Sequence, residues 1–182
     1  MSINDDASFA TESKVAFLYN KDLAERAVAQ LSDEQLHAAL HPETNCVAVI
    51  MKHVAGNLLS RWTDFLATDG EKPWRDRDDE FVDTFSSRQE LLEYWQKGWD
   101  CLADALDALR PADLNATVKV RGESLSVPLA IARSLSHCGY HVGQIVLISR
   151  LLVNDGWKTL TIPKGASQQH NTKNWGDTQY HR

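Results

Sequence analysis

Cysteine is scarce in this chain: Cys46, Cys101 and Cys138 are an odd number, far apart, with no C-x-x-C pair. That excludes a disulfide framework and a dithiol redox motif, and it fits thiols kept reduced in a cytosolic protein. Glycine and proline, 9 and 5 of 182 residues, are too few for a collagen-like or low-complexity chain. No glycine-rich phosphate loop and no G-x-S-x-G is present, so neither a P-loop nor a nucleophile elbow is expected. Positive charge is also short. Nineteen Lys and Arg against 25 Asp and Glu give a net charge of −6, with the cations scattered and not blocked, and no nucleic-acid partner is expected. The longest apolar stretch, Val142 to Val153, is interrupted by Gln144, Ser149 and Arg150, well short of the ~20 residues of a membrane span. Met1 to Phe9 carries Asp5 and Asp6 in place of a basic and apolar leader, which makes the cytoplasm the expected compartment.

What remains is 43% hydrophobic and 24% charged, ordinary for one compact domain spanning residues 1–182. A core of this size buries roughly 70% of the unfolded surface without a metal staple, so any metal would serve chemistry. The hydrophobic period is helical nearly throughout. It predicts long helices over about 8–30, 45–68, 88–109 and 127–153, and a short one after Ser32-Asp33-Glu34-Gln35. Both that run and Ser87-Arg88-Gln89-Glu90 have the capping-box pattern, and Pro42, Pro111 and Asp155-Gly156 punctuate. Thr117 to Val120 and Ser124 to Val127 alternate around Arg121-Gly122-Glu123, predicting a β-hairpin before the last helix. Residues 70–86 mix charges with Pro73 and show no period, which reads as a solvated surface connection. The expectation is an all-α antiparallel four-helix bundle with that hairpin and an irregular polar tail over 163–182. Trp62, Trp95 and Trp99 at helical spacing read as core.

Seven histidines carry the chemical signal. Two pairs, His37/His41 and His137/His141, have H-x3-H spacing, which places imidazoles one helical turn apart. Random placement gives roughly 0.3 such pairs, so context must separate them. His37/His41 precedes Pro42 and reads as surface. His137/His141 lies amid Ile131, Leu135, Val142, Ile145 and Val146, where imidazoles need partners. His53, beside Met51, Val54 and Leu58, is the histidine of the second helix interior and supplies a third nitrogen. Three imidazoles leave a divalent ion an open position, as in a catalytic site, and zinc and nickel both accept them. Cys138 stands where a zincin has Glu, which excludes that peptidase chemistry, and the thiol itself reads as core. Asn57 and Arg133, four residues from His53 and His137, face the same site, either to support a ligand from behind or to touch substrate. No catalytic acid or base is assigned.

Val49-Ile50-Met51-Lys52-His53-Val54-Ala55-Gly56-Asn57 and Ser136-His137-Cys138-Gly139-Tyr140-His141-Val142-Gly143-Gln144-Ile145 resemble the DinB-like (YfiT-like) superfamily. Arg61-Trp62-Thr63-Asp64-Phe65 followed by Asp69 to Trp74 is similar to a bacterial branch of unknown function. The resemblance spans about 19–175. It implies a four-helix bundle with His53, His137 and His141 at the three metal-ligand positions, and a homodimer. Relatives include transferases and isomerases that use low-molecular-weight thiols, so it also implies a small-molecule substrate with a thiol cosubstrate. Two readings therefore stand. One is a metal-dependent enzyme, a thiol S-transferase or a hydrolase; the other is a non-catalytic, stress-related metal-binding or interaction bundle.

Overall fold

A computed structural model describes residues 5–175 of the chain. The leader reading of Met1 to Phe9 and the tail reading of 163–182 therefore lie partly outside the described residues. Four long helices form the bundle: α1 (Asp5–Val28), α3 (Val47–Trp62), α4 (Arg88–Asp107) and α5 (Val127–Val153). A one-turn α2 (Asp33–Leu36) links the first two. Helix α1 packs on α5 and α4, and α3 packs on α4 and α5. No helix among the described residues is long and apolar enough to cross a membrane.

The core is one cluster in which Phe17, Leu36, Met51, Leu58, Trp62, Leu91, Trp95, Trp99, Leu102, Ile131 and Ile145 are almost fully buried. Phe17 meets Trp62 and Trp99 edge-on at 6.0 and 6.5 Å, the offset that aromatic quadrupoles favour. Helix α4 approaches α3 closely because Gly98 has no side chain. A Cβ there would sit 2.8 Å from the Ala55 Cα.

Local chemistry sets most of the element ends. Ser32 and Gln35 complete a reciprocal capping box at α2, and the Ser126 hydroxyl accepts from the Leu129 N–H at the start of α5, with Pro128 in the first turn. At α4 only half of the expected box forms. Ser87 accepts from the Glu90 N–H, but the Glu90 carboxylate takes the N–H and hydroxyl of Ser86. The hairpin pairs β1 (Thr117–Val120) with β2 (Glu123–Ser126), Thr117 opposite Ser126, one residue earlier on the second strand than expected. Its turn residues Arg121 and Gly122 have φ of 57° and 76°, the two-residue geometry that matches strand twist. Both turn N–H groups donate to the Asp69 carboxylate at 2.8 and 2.7 Å.

Two expectations need correction. The second long helix stops at Trp62 and not near Thr68: Thr63 is extended, Asp64 has φ of 48°, and Ser60 and Arg61 both donate to the Gly70 carbonyl. The chain is thereby turned back along the helix, against the apolar stripe that runs on to Phe65. The tail is not wholly irregular either, since α6 occupies Ser167–Trp175; residues 176–182 lie outside the described part.

Candidate functional site

Lys52 is the only charged residue between Val47 and Leu59, and a buried ammonium needs several acceptors. It has them in the 70–86 connection: its Nζ donates to the Asp79 carbonyl (2.6 Å), the Asp79 carboxylate (2.7 Å), Thr84 Oγ1 (2.8 Å) and the Val82 carbonyl (3.1 Å). One turn on, Gly56 leaves room for Glu80, whose Oε1 would lie 2.5 Å from a Cβ at that position. A turn further, Ser60 donates to the Gly70 carbonyl and accepts from the Lys72 N–H. Lys52, Gly56 and Ser60 thus form one stripe of α3 that docks the connection. The adjacent stripe, His53, Asn57 and Arg61, lines a cleft.

The connection is a surface segment, as its composition suggests, with Asp76, Asp78, Asp79 and Asp83 exposed, but its inner charges are buried. Glu80 is 4% exposed, and the Arg75 side chain that binds it is 1% exposed. Arg75 Nε and Nη2 donate to the two Glu80 oxygens at 2.7 and 2.8 Å, a bidentate pair. Burial alone would raise the Glu80 pKa, but the bonds from His53 and Arg75 outweigh it and hold the group below its ordinary value. The carboxylate is therefore an acceptor only, so His53 Nδ1, 2.9 Å from Oε2, is the donor. That bond places a proton on Nδ1 and turns the ring so that Nε2 faces His137. Phe81 stacks on the ring with centroids 4.7 Å apart.

His137 and His141 reach the same point from α5. One ring nitrogen from each of His53, His137 and His141 lies within 4.8 Å of the other two. The His53 and His137 Nε2 atoms are 3.2 Å apart. Two nitrogens bound to one tetrahedral zinc at 2.0–2.1 Å stand about 3.3–3.4 Å apart, so the pair fits a shared ion. Burial, followed by the nearby His141, His53 and Arg75, pushes the His137 pKa down to about 3. Burial and His53 lower that of His141, which sits 3.2 Å from Gln144 Oε1. Neutral imidazoles are the form that ligates metal. The chemistry of the donor set thus suits a divalent ion; these three side chains are the only such group among the described residues.

The cleft that opens over the histidines has a volume of about 430 Å³. Asn57 and Arg133 both line it, together with Trp62, Phe65, Phe81, the hairpin residues Lys119, Val120 and Arg121, and Arg77. Arg133 pairs with Glu123 at 3.1 Å. The other histidine pair is separate: α2 ends before His37, whose Nδ1 lies 2.7 Å from Asp83, while His41 is exposed and accepts from the Glu43 N–H. Cys138 is fully buried, its pKa pushed up to about 12 by burial, and takes no part in the cleft.

Sequence reasoning did not reach Glu80, Arg75 or the docking role of Lys52. The available signals were the lone charge of Lys52 in an apolar helix and the apolar pair Phe81-Val82 closing the charge run. Residues 4–166 match the model of a family described as "Protein of unknown function (DUF1572)". No curated protein and no solved structure matches the chain.

Proposed function

Starting from the chain's family, since it belongs to that uncharacterised one, we propose that it is a metal-dependent enzyme of the DinB-like type, with His53, His137 and His141 holding a divalent ion. The observation that carries this reading is the convergence of three imidazoles at the buried end of a cleft large enough for a small molecule. A carboxylate that orients one of them, itself held by a buried arginine, adds the outer support typical of functional metal sites.

A divalent ion there would supply Lewis acidity, lowering the pKa of a bound thiol so that it reacts as thiolate. The chain's own residues do the rest. Glu80 keeps the His53 proton on Nδ1 and the Nε2 lone pair turned toward His137. Phe81 stacks on the His53 ring, the buried Trp62 lines the inner wall, and Asn57 offers an amide to a substrate in the cleft. Transfer of a low-molecular-weight thiol to an electrophile is the reaction that matches the superfamily resemblance. We place the protein in the cytoplasm, with a small-molecule substrate, and as a homodimer, the commonest closed assembly.

The test is elemental analysis of protein purified without a histidine tag, for wild type and His53→Ala, after reconstitution with zinc or nickel. About one equivalent in the wild type, lost in the variant, supports the site; a wild type that retains no metal refutes it. Electrophiles screened with several thiols against metal-stripped protein then separate catalysis from simple metal retention.

A further inference from the structure

The cleft wall is strongly basic in a chain that is acidic as a whole. Arg61, Arg77, Lys119, Arg121 and Arg133 line it, against the carboxylates of Glu123, in the lining, and Glu71 beside it. Five cations and two carboxylates leave three positive charges in excess, although the chain carries −6 overall. Low-dielectric walls focus such a field on the space between them.

The pairing of these cations is incomplete. One oxygen, Glu71 Oε2, faces four guanidinium groups: Arg121 at 3.1 Å, Arg61 at 3.3 Å, Arg77 at 3.6 Å and Arg75 at 3.8 Å. Arg121 Nε and both Arg61 Nη atoms donate to it, the Arg61 bonds being the longer, while the Arg77 and Arg75 contacts lie beyond hydrogen-bond distance. A carboxylate oxygen accepts about two hydrogen bonds, so most of the N–H groups converging here are not used by Glu71. Crowding has a second signature: burial, and then the neighbouring Arg75 guanidinium, hold the Arg61 pKa below its usual value. Lys119 makes no ion pair among the described residues, and the Arg133 pair with Glu123 is exposed at both ends, 52% and 63%, so it contributes little.

The positions grade inward. Arg121 and Arg133 side chains are about half exposed, whereas His53 is 5% exposed. An occupant would therefore meet the cations at the mouth and the histidines at the base. Fork-shaped guanidinium groups match planar carboxylate and tetrahedral phosphate alike.

We propose that the substrate of this cleft is an anionic small molecule whose carboxylate or phosphate group is held by Arg121, Arg133 and Lys119, with Arg61 and Arg77 behind them. This rests on the metal-site reading only for where the reacting end of the substrate lies; anion recognition needs the cations alone. The hairpin then has a function, because its type of turn projects Arg121 beside Lys119 over the cleft while Asp69 holds the turn backbone.

The test uses metal-free full-length protein and two probes, inorganic phosphate and succinate, titrated calorimetrically at low ionic strength. At least one probe is expected to bind saturably at one site per chain. Binding should weaken about tenfold or more in the Arg121→Ala, Arg133→Ala double variant and stay unchanged in Arg110→Ala, at an exposed arginine outside the cleft. Which probe binds more tightly tells phosphate from carboxylate recognition. Binding of neither probe, binding unaltered by the Arg121 and Arg133 substitutions, or binding weakened equally by Arg110→Ala would each overturn the proposal. Both arginines are exposed, so the double variant is expected to fold, and its melting curve controls for that. Failure of metal retention with arginine-dependent anion binding intact would refute the metal reading alone.

Discussion

Replacing Glu80 with Gln keeps the shape of the side chain and removes its charge, and the surroundings say what that does. The carboxylate accepts from Arg75 Nε, Arg75 Nη2 and His53 Nδ1 at 2.7, 2.8 and 2.9 Å. An amide oxygen can serve one side of this arrangement, but the amide NH2 then meets another donor. The Arg75 guanidinium, 1% exposed, is left with Glu71 at 3.8 Å as its nearest counter-charge. Breaking a buried pair from one side costs about 3–5 kcal/mol. With Glu71 partly compensating, the lower end applies, about 3 kcal/mol, which for a domain of this size is a fall in Tm of roughly 6–12 °C. The His53 tautomer is no longer enforced, so metal affinity should also fall, by about 10–100-fold. Thermal melting of the metal-free protein reads the first effect, and zinc titration against a competing chelator reads the second. Glu123→Gln, at an exposed carboxylate, is the control. A Glu80→Gln protein that melts within 2 °C of wild type and binds zinc equally well would refute the reasoning, because the carboxylate would then neither neutralise Arg75 nor orient His53.

In the metal-free protein burial holds the His137 pKa down at about 3, against an ordinary imidazole value of 6.5 that serves for the unfolded chain. The unfolded state therefore takes up the proton first, and stability present above pH ~6.5 declines as pH falls toward 3, by up to about 1.4 kcal/mol per pH unit. Between pH 7 and pH 5 the Tm of His137→Phe should fall less steeply than that of wild type; parallel slopes would count against a neutral His137. Gly98→Ala places a Cβ 2.8 Å from Ala55 Cα and 2.9 Å from its carbonyl oxygen, so α3 and α4 must separate, at about 1–3 kcal/mol, and denaturant unfolding should show it. Lys52→Met fills the same space but leaves the Val82 carbonyl without its Lys52 donor and the Asp79 carbonyl with the Val82 N–H alone. Amide exchange over 79–84 should quicken while α5 amides keep wild-type protection; unchanged exchange would sink the docking role assigned to the ammonium.

The helical layout was legible because each long segment carries a 3.6-residue stripe and its ends carry local chemistry, such as the Ser126 cap and Pro128 of α5. His53, His137 and His141 were legible as candidates for a related reason: spacing within a helix constrains where side chains point, and apolar neighbours announce burial. Glu80 was not, since no period runs through 70–86 and its burial depends on Arg75, Lys52 and the gap at Gly56, which come together only in three dimensions. The end of α3 was misread because Phe65 prolongs the apolar pattern, whereas the bonds that turn the chain, from Ser60 and Arg61 to the Gly70 carbonyl, join residues about ten apart. Arg121 was assigned to a turn from its neighbours; that the turn hangs over the cleft follows from Asp69, fifty residues earlier.

The two neighbouring stripes of α3 make the chain unequally tolerant of two kinds of genetic change. Lys52, Gly56 and Ser60 grip the connection while His53, Asn57 and Arg61 face the cleft, and each stripe advances by four residues, about 6 Å of helix rise. A substitution at any one of these positions disturbs one grip. A single-codon insertion or deletion between them rotates everything beyond it by about 100°, carrying cleft residues onto the side of the connection or into the core and breaking both sets of contacts together. Between positions 52 and 61 the reading frame of the helix, more than the identity of any one side chain, is what this architecture holds constant.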